Sequence, residues 1–562
     1  MSNIIAAADT WFRPNVSTIK RATITQINLS LDAVTDYTDS WDASQNTDGS
    51  VMVYVKDTVL TIVTVGGTTL TANQDASNMF SHSGSTDYFS KLVSINNASL
   101  IDFSNTTNAY KLCNKCSVLK TIDTSGWDFS NCEDLACAFQ TCSALTEVNS
   151  TNWNVSSKCT ALRLIFSKCT ALEHVDVSKW DVSNVEELRG LFQDCTSLLE
   201  LDVSNWNVSK ANTLRLLFAR CSSLTKLDVS NWDVSNVEDL SSTFNGCTSL
   251  LELDVSNWNV SKANTLRCFL QQGTNGNPSC SITELDLSKW DVSNVEDFSY
   301  CFYGMVNLNK ISLSNWNTSK GKYFRHIFTH CKSLRDFDCS NWDMSNAETI
   351  DGFFHSTKKA VYDISKWNLS NCITIAQLFE RCFAANKIIG LENLNTSKCK
   401  KMQEMFYLCD KIESLDLSNF DMSSLSDSWV DPDVGTAENA TTNMFGGMNK
   451  LKEIKFGEKC IIKPNMNLPT PNSTYISEAD GYWYTPQGEP YLTANIPSNV
   501  AQTYLAISPE LLIKSSTLNK LSLAIKSVFN VEEKQTPIDM ANNIVNGSLE
   551  ILDIANLIGG VE

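Results

Sequence analysis

The 562-residue sequence lacks the features that place a chain in a membrane or on nucleic acid. It has no run of about 18 apolar residues, the length that a membrane-spanning helix needs. The N-terminal stretch MSNIIAAADT has no basic residue and carries Asp9, so we predict no secretory signal peptide. The 44 Lys and Arg residues face 63 Asp and Glu residues, a formal net charge of −19. No basic run offsets this excess, so we expect neither membrane insertion nor a nucleic-acid partner.

The signatures of common enzymes and metal sites are missing as well. There is no Walker loop, no GxSxG turn and no glycine-rich dinucleotide loop. His326 and His330 are four residues apart, but the surrounding RHIFTHCK lacks the glutamate of a zinc-protease pair. Cys113 and Cys116 form a CxxC without the second pair that a zinc site needs. We therefore predict no enzyme activity, no catalytic residue, no metal site and no cofactor.

A repeat is what the sequence does have. An aromatic residue followed by Asp or Asn recurs at steps of 25 to 27 residues, with one step of 32 at the insertion QGTNGNPS. The members of this column are Trp127, Trp153, Trp180, Trp206, Trp232, Trp258, Trp290, Trp316, Trp342 and Trp367, followed by Leu394 and Phe420. A unit of about 26 residues cannot bury its own apolar face, so the period predicts twelve stacked units. The passage CTSLLELDVSNWNVSKANTLR occurs twice, at residues 195–215 and 247–267.

Each unit changes its apolar period halfway. The first half, such as SLTKLDVSNW, alternates apolar and polar residues and predicts a short strand. In the second half, such as SNVEELRGLFQDC, apolar residues follow at spacings of three and four, which predicts a short helix. Ser183 and Glu186 have the spacing of a capping box at the start of that helix. The predicted fold is an α/β solenoid of leucine-rich repeats with one long parallel sheet.

Cysteine and aspartate also recur in columns along the predicted stack. We expect one cysteine per unit to be a small buried hydrophobe with a free thiol, which suits folding in a reducing cytoplasm. Acids follow the strands at Asp202, Asp228, Asp254 and Asp286. We expect these carboxylates to accept bonds from turn amides, and metal binding is the alternative.

Units of the type WDVSNVE alternate with units of the type WNVSKAN, so the sequence period is two units. Glu186 and Glu187 of one type are therefore expected beside Lys210 and Arg215 of the other. Such alternation prevents a column of like charges along the stack.

The unit LDVSNWDVSNVEDLSSTFNGCTSL closely resembles the BspA-like leucine-rich repeats, in particular the lipoprotein-associated repeat of mycoplasmas and gut bacteria. The resemblance covers roughly residues 51–456, and DGSVMVYVKDTVLTIVTVGG is similar to the β cap that precedes such arrays. It implies surface display and adhesion, and it supplies no catalytic residue. We predict neither a secretion signal nor a lipobox, and in this respect we expect the chain to differ from the bacterial members.

A second resemblance lies near the C-terminus. The segment SSTLNKLSLAIKSVFNVEEKQTPIDMANNIVNGS is similar to one common in bacteriophage tail and fibre proteins. Its pattern is held by Ile525, Pro537, Met540, Ala541 and Ile544, whereas NVEEKQ replaces the usual basic and glycine residues. The segment predicts a small helical module and implies a virion protein made in a bacterial cytoplasm.

We predict five regions along the chain. They are an N-terminal attachment segment at 1–50, a β cap at 51–110, the solenoid at 111–456, a C-terminal β-hairpin cap at 457–507 and a helical module at 508–562. Binding residues are expected where the repeat breaks, at 271–278, at 425–440 and in the aromatic stretch that follows residue 474.

The candidates for ligand binding are aromatic residues in these breaks, since loop aromatics can stack on sugar rings. They are Trp429, Tyr475, Tyr482, Trp483, Tyr484 and Tyr491. For the aromatic stretch we favour a second interpretation over sugar binding, namely a hairpin that caps the last repeat, with its turn near Gln487 and Gly488.

The leading hypothesis for function is a bacteriophage virion protein, in a tail fibre or another exposed appendage, that recognises the bacterial surface. Its expected partners are a bacterial surface glycan or protein and other virion proteins, and a homo-oligomer is left open. One alternative is a bacterial cell-surface adhesin of the BspA-like type. A second alternative is a purely structural virion protein.

Overall fold

The computed structural model describes residues 3–66, 69–81, 88–273, 281–430 and 439–512. Its N-terminal part is a six-stranded mixed sheet in the order β2-β3-β4-β1-β6-β8. These strands are β1 (Gln26–Ser30), β2 (Asp39–Asp42), β3 (Val51–Lys56), β4 (Val59–Thr64), β6 (Ser94–Asn96) and β8 (Thr121–Ile122). A short parallel pair, β5 (Leu70–Thr71) and β7 (Ile101–Asp102), lies beside it.

The first 50 residues form part of this cap. β1 lies between β4 and β6 and runs parallel to both, while β2 pairs with β3 in the antiparallel direction. The predicted boundary at residue 50 therefore falls inside the sheet. Because β6 and β8 are parallel, the cap passes directly into the repeat array.

Parallel strands line one face of the array, which we call the strand face. They are β9 (Glu147–Val148), β10 (His174–Val175), β11 (Glu284–Asp286), β12 (Lys310–Ser312), β13 (Val361–Asp363), β14 (Lys387–Ile389), β15 (Ser414–Leu417) and β16 (Glu453–Phe456). Each pairs in register with the equivalent residues of a neighbouring unit, as Glu284 pairs with Lys310. Alternate residues point inward, so Leu285 is buried between exposed Glu284 and Asp286.

A second parallel ladder runs along another side of the stack. Single bridged residues follow one another through Asp75, Asn108, Asp134, Ala161, Glu187, Thr213, Asp239, Thr265, Asp297, Tyr323, Thr349, Thr374 and Lys401. Two parallel ladders on successive units are the geometry of a solenoid, in which each unit contacts its neighbours. The repeat solenoid predicted from the sequence is thus confirmed, and the number of twelve units stays a prediction.

The predicted short helices are wrong. Across the described residues between 88 and 508, the second half of each unit is a run of turns. Two residues per unit, such as Gly190 and Asp194, have positive φ angles of 58° and 63°. Their amides donate to the next unit, at 2.9 Å to the Arg215 carbonyl and 2.7 Å to the Ala219 carbonyl. Two left-handed residues four positions apart prevent the i to i−4 hydrogen bonds of a helix. The backbone amides of the segment therefore donate to carbonyls of the neighbouring unit.

We call the segment of each unit that carries the two left-handed residues the turn wall, which is 188–194 in the unit of Gly190 and Asp194. Its entry also differs from the predicted capping box. The Ser183 amide donates to Asp181 Oδ1 at 3.0 Å, so the aspartate after the tryptophan closes the turn. The apolar spacing of three and four that suggested a helix belongs equally to the wall, which directs Leu188, Leu191 and Phe192 into the core.

The tryptophan column forms a continuous stack inside the solenoid. From Trp127 to Trp342, successive indole centroids are 5.4 to 6.5 Å apart and the ring planes differ by at most 22°. Most indoles also donate Nε1–H to the preceding unit, as Trp232 does to the Val203 carbonyl at 3.0 Å. Burial of a large ring with a satisfied polar edge explains why tryptophan suits this position.

The cysteine column is buried as predicted. Cys195 Sγ lies 3.2 Å from the Phe166 carbonyl, and Cys221 Sγ lies 3.2 Å from the Phe192 carbonyl. Every cysteine in the described part of the chain is a free thiol. Cys280 lies outside the described residues.

An antiparallel arrangement ends the array. β17 (Trp483–Tyr484), β18 (Pro490–Tyr491) and β19 (Gln502–Leu505) complete a sheet in the order β15-β16-β19-β17-β18. β19 pairs antiparallel with β16, which closes the free edge of the last repeat strand. The Gly488 amide donates to the Thr485 carbonyl at 2.9 Å, so the predicted hairpin and its turn are confirmed.

Five 3₁₀ helices lie among the described residues, at Arg21–Thr23, Ala98–Leu100, Leu391–Asn393, Pro464–Met466 and Thr493–Asn495, and residues 509–512 are helical at the end of the last described range. Within the described ranges, no helix has the length and apolar character needed to cross a membrane. The predicted helical module lies outside the described residues from position 513 onward.

Candidate functional site on the strand face

Two of the six predicted aromatic residues, Trp483 and Tyr491, pack into the C-terminal cap. Trp483 is fully buried, and its Nε1 donates to the Pro469 carbonyl at 3.1 Å. Tyr491 packs edge-on against Tyr504 with ring centroids 5.7 Å apart. The cap alternative from the sequence therefore describes these residues better than a sugar-stacking surface.

The remaining candidates are dispersed. The Tyr484 hydroxyl donates to Asp480 Oδ2 at 2.5 Å, and this bond, with burial, raises the pKa of Tyr484 to about 12. Tyr475 and Tyr482 are the exposed members. Trp429 is half-buried, and no ring contact among the described residues joins it to the other candidates. Much of its loop, 431–438, and most of the loop 271–278 lie outside the described residues.

A large groove in the described residues lies on the strand face instead. It has a volume of about 1420 Å³ and crosses five successive units. Its lining comes from residues 121–123, 147–149, 174–176, 199–202, 204 and 225–228. With strands about 4.8 Å apart, five units extend the groove over roughly 20 Å.

The sequence pattern explains how the groove is built. Inward side chains such as Val175, Leu201 and Leu227 are buried and form its floor. The outward residues on either side of them rise from the floor as columns. Leu199 is an outward residue of the groove and is 45% exposed. The period-two alternation was the signal that could have located this surface from the sequence.

Acidic residues dominate the outward columns of the groove. They are Asp123, Glu147, Asp176, Glu200, Asp202 and Asp228, facing the two basic or titratable groups His174 and Lys226. His174 Nδ1 lies 3.7 Å from Glu200 Oε1 at an exposed position. The groove is therefore open to water and negatively charged.

The aspartate column has the structural role that we expected. Asp202 Oδ1 accepts the Ser204 amide at 3.1 Å and the Ser204 hydroxyl at 2.7 Å. The same pair of bonds recurs at Asp228 and Asp254, and the amide bond recurs at Asp286. These bonds lower the pKa of Asp228, since they favour the ionised carboxylate. The described residues contain no group of His, Cys, Asp and Glu arranged to hold a metal ion.

Charge alternation between units is also present, with partners that differ in part from the predicted ones. Arg215 Nη1 faces Asp239 of the following unit at 3.9 Å, and Lys210 Nζ donates to Asn184 Oδ1 at 2.5 Å. Glu187 faces Arg163 of the preceding unit at 3.6 Å. Each unit therefore complements both neighbours in the stack.

His326 and His330 lie on the turn wall, each at a positive-φ position. His326 Nδ1 is 3.0 Å from Thr329 Oγ1, and the His330 ring contacts the His355 ring at a centroid distance of 4.8 Å. The spacing of four thus reflects the two left-handed positions of one unit, and no zinc-protease helix.

Comparison with solved structures finds two leucine-rich proteins of low similarity. The functional domain of InlJ from Listeria monocytogenes, described as including a cysteine ladder, is 17% identical with a TM-score of 0.20. The match covers 58% of this chain and 63% of that one, just under two thirds of its length. A leucine rich cell surface protein from Faecalibacterium prausnitzii is 15% identical with a TM-score of 0.26, over 64% of this chain and 96% of that one. Both TM-scores lie far below 0.5, so the structural similarity is low.

The sequence family gives a firmer result. No curated protein matches the chain. A family model described as "Mycoplasma protein of unknown function, DUF285" matches residues 68–174, 160–283, 277–391 and 359–429. These overlapping matches run from residue 68, inside the β cap, to residue 429 and span well over half of the 562 residues. The chain therefore belongs to the DUF285 family.

Proposed function

We propose that this protein is a non-enzymatic binding scaffold of a bacterial cell surface, which holds an extended ligand across its strand face. The observation that carries the proposal is the groove over five units, with exposed side chains rising on both sides of an apolar floor. A repeat array is suited to this role, because every unit adds the same outward positions to one continuous surface.

The proposed ligand is a polymer, either a glycan chain or an extended peptide, of neutral or positive charge. Five units stacked about 4.8 Å apart make a groove of roughly 20 Å. A groove of this length can hold more than a single sugar or amino acid. The acidic columns repel anionic polymers, and the net charge of −19 adds to that repulsion. Leu199 supplies an exposed apolar contact in the middle of the polar columns.

The free cysteines are compatible with a surface location. From the sequence they suggested folding in a reducing cytoplasm. Cys195 and Cys221 are completely buried, and burial raises the pKa of both thiols well above its usual range. A buried, protonated thiol reacts slowly with oxidants, so we expect these cysteines to stay reduced in an oxidising extracellular environment.

The cell-surface adhesin, the first alternative in the sequence, is thus the function that we now favour over the virion hypothesis. The resemblance to BspA-like repeats implies surface display, and the Faecalibacterium structure is described as a cell surface protein. The proposal rests on the groove and not on that likeness. The family match gives the virion hypothesis no support, and its C-terminal segment lies outside the described residues.

The test is binding of the purified full chain to whole cells and to an array of glycans and peptides. We expect saturable binding that favours neutral or basic polymers over acidic ones, with no product released when the bound ligand is analysed by mass spectrometry. Absence of binding to all of these targets would contradict the scaffold. Release of shortened ligand would show instead that the chain is an enzyme.

A further inference from the structure

One place on the turn wall carries ionisable side chains where other units have uncharged ones. The position before the second left-handed residue is Gln193, Asn245 or Thr329 in three other units. In two successive units it is His355 and Glu380, whose side chains are only 11% and 6% exposed. His355 Nδ1 lies 3.4 Å from Glu380 Oε2. On its other side, the His355 ring contacts the ring of His330 at 4.8 Å.

The polar atoms of this contact are poorly satisfied. Both ring nitrogens of His355, Nδ1 of His330 and Oε2 of Glu380 are buried without a hydrogen-bond partner in the described structure. A neutral imidazole can stay in such a place at moderate cost. An imidazolium there exchanges its hydration for one nearby acceptor, Glu380 Oε2 at 3.4 Å, and Arg381 already holds that carboxylate, so charging the ring costs more.

The surrounding charges add to that cost. The titratable or charged groups around the contact are Tyr303, Arg325, His326, Lys332, Asp351, Arg381 and Glu404. The acids among them are engaged elsewhere: Asp351 faces Arg325 at 3.6 Å, and Glu404 accepts a bond from Gln377 at 2.8 Å. Glu380 is held by Arg381, whose Nε lies 3.0 Å from Glu380 Oε1. Among the described residues, Glu380 is therefore the one acid left to face two new positive charges, and it already serves Arg381.

We propose that the contact of His330, His355 and Glu380 is an acid-sensitive joint, at which the solenoid opens first when the pH falls from neutral to mildly acidic. Units of a solenoid are stabilised by their nearest neighbours, so a weakened contact divides the array at that point. The strand-face groove lies in the N-terminal half, on units that remain stacked. The joint goes beyond the binding function and does not depend on it.

The direction of the pH effect follows from the protonation of the folded and unfolded chain. Burial, then the charges of His330 and His326, lowers the pKa of His355 from 6.5 to about 3, and burial also lowers the pKa of His330. The unfolded histidines bind more protons below pH 6.5, so stability falls as the pH drops through this window. Burial raises the pKa of Glu380 from 4.5 to about 6, which opposes the loss between those values. Two histidines outweigh one glutamate, and a protonated Glu380 no longer offers a charge to an imidazolium.

Hydrogen exchange of the full chain, followed by mass spectrometry at about pH 7 and about pH 5 and corrected for intrinsic rates, tests the joint. We expect the segments 326–331 and 351–357 to open at least about threefold more often at the lower pH, because the effect of His355 exceeds the opposing effect of Glu380 by about that factor and His330 adds to it. The same wall segments of other units, 188–194 and 240–246, serve as internal controls. Uniform loss along the array, or no loss at the joint, would overturn the proposal.

A variant pair identifies the groups. His355→Gln places at this position the residue that the equivalent position has in Gln193, and we expect it to remove most of the pH dependence. His174→Gln is the control, because His174 is exposed and its nearest acid, Glu200, is exposed as well. If His355→Gln keeps the full pH dependence, the joint is not the cause. Should that variant fail to fold, the exchange pattern of the unaltered chain decides the question alone.

Discussion

The two identical passages, residues 195–215 and 247–267, show which features of the structure the repeated sequence determines by itself. The two passages lie in solenoid units of the same build, which we call the first and the second coil. Trp206 and Trp258 stand in the indole stack, and their Nε1 atoms donate hydrogen bonds to the carbonyls of Val177 and Val229. They differ on the strand face. Leu199 of the first passage lines the groove, whereas Leu251 of the second lies beyond its last lining residue, Asp228.

The two coils also differ directly after the identical passages. The first continues with Leu217 and Phe218, and the second reverses this order with Phe269 and Leu270. Phe218 stacks on Phe244 with the ring planes 14° apart, while Phe269 meets the same ring at 87°. The comparison teaches that the repeated residues fix the coil, and that the residues around them decide its packing and its use.

The largest change in stability of the two coils is expected from removal of an indole. Trp206→Ala and Trp258→Ala each delete a buried ring between two others, and each should cost about 3–5 kcal/mol of unfolding free energy. Urea unfolding of both variants is the measurement. A cost below about 2 kcal/mol for only one of them would show that the two coils are not equivalent in the core.

An intermediate effect is expected from restoring the order of the first coil in the second. The double change Phe269→Leu and Leu270→Phe conserves volume and moves the ring to the position of Phe218. We expect a change in stability of less than about 1.5 kcal/mol, because the total burial is kept. Near-ultraviolet circular dichroism should change as the edge-on contact with Phe244 becomes a stack. An unchanged spectrum would mean that the neighbouring units impose the edge-on arrangement.

The smallest effect is expected from the arginines at the ends of the passages. Arg215 faces Asp239 at 3.9 Å, and Arg267 faces Asp297 at 3.5 Å while its guanidinium also lies 5.6 Å from the Tyr300 ring. Replacement of either by Gln should cost less than about 1 kcal/mol, with the larger cost at Arg267. Thermal unfolding in low and high salt measures this, since salt should abolish the cost at Arg215. A larger cost at Arg215 would reverse the expected order.

The columns of the solenoid were accessible from the sequence because each position repeats. Trp232, Cys221 and Asp228 each recur at one unit length, and one role per column accounts for all their members. The turn wall was not accessible in this way. A left-handed residue every four positions and a helix both bring every third or fourth side chain to one face, so Leu188 and Phe192 fit either structure.

The candidate site was the weakest part of the sequence prediction. Trp483 was predicted as a binding residue because its stretch has no repeat, yet the cap buries it, and the exposed Tyr475 and Tyr482 form no cluster with it. The groove requires several units to present compatible residues at once. One segment such as Glu200–Leu201–Asp202 predicts an exposed and a buried side, and it does not indicate which units join into one surface.

The most direct test of the strand-face account uses the matched leucines of the two passages. Leu199→Arg and Leu251→Arg change the same residue in the same local sequence, and both side chains are exposed, at 45% and 53%. Affinity for the ligand found in the binding screen is measured for both variants, with unfolding curves to verify that both remain folded. We predict a loss of at least about tenfold for Leu199→Arg, equivalent to roughly 1.4 kcal/mol, and little change for Leu251→Arg. Equal affinities for the two variants would contradict the claim that this groove holds the ligand.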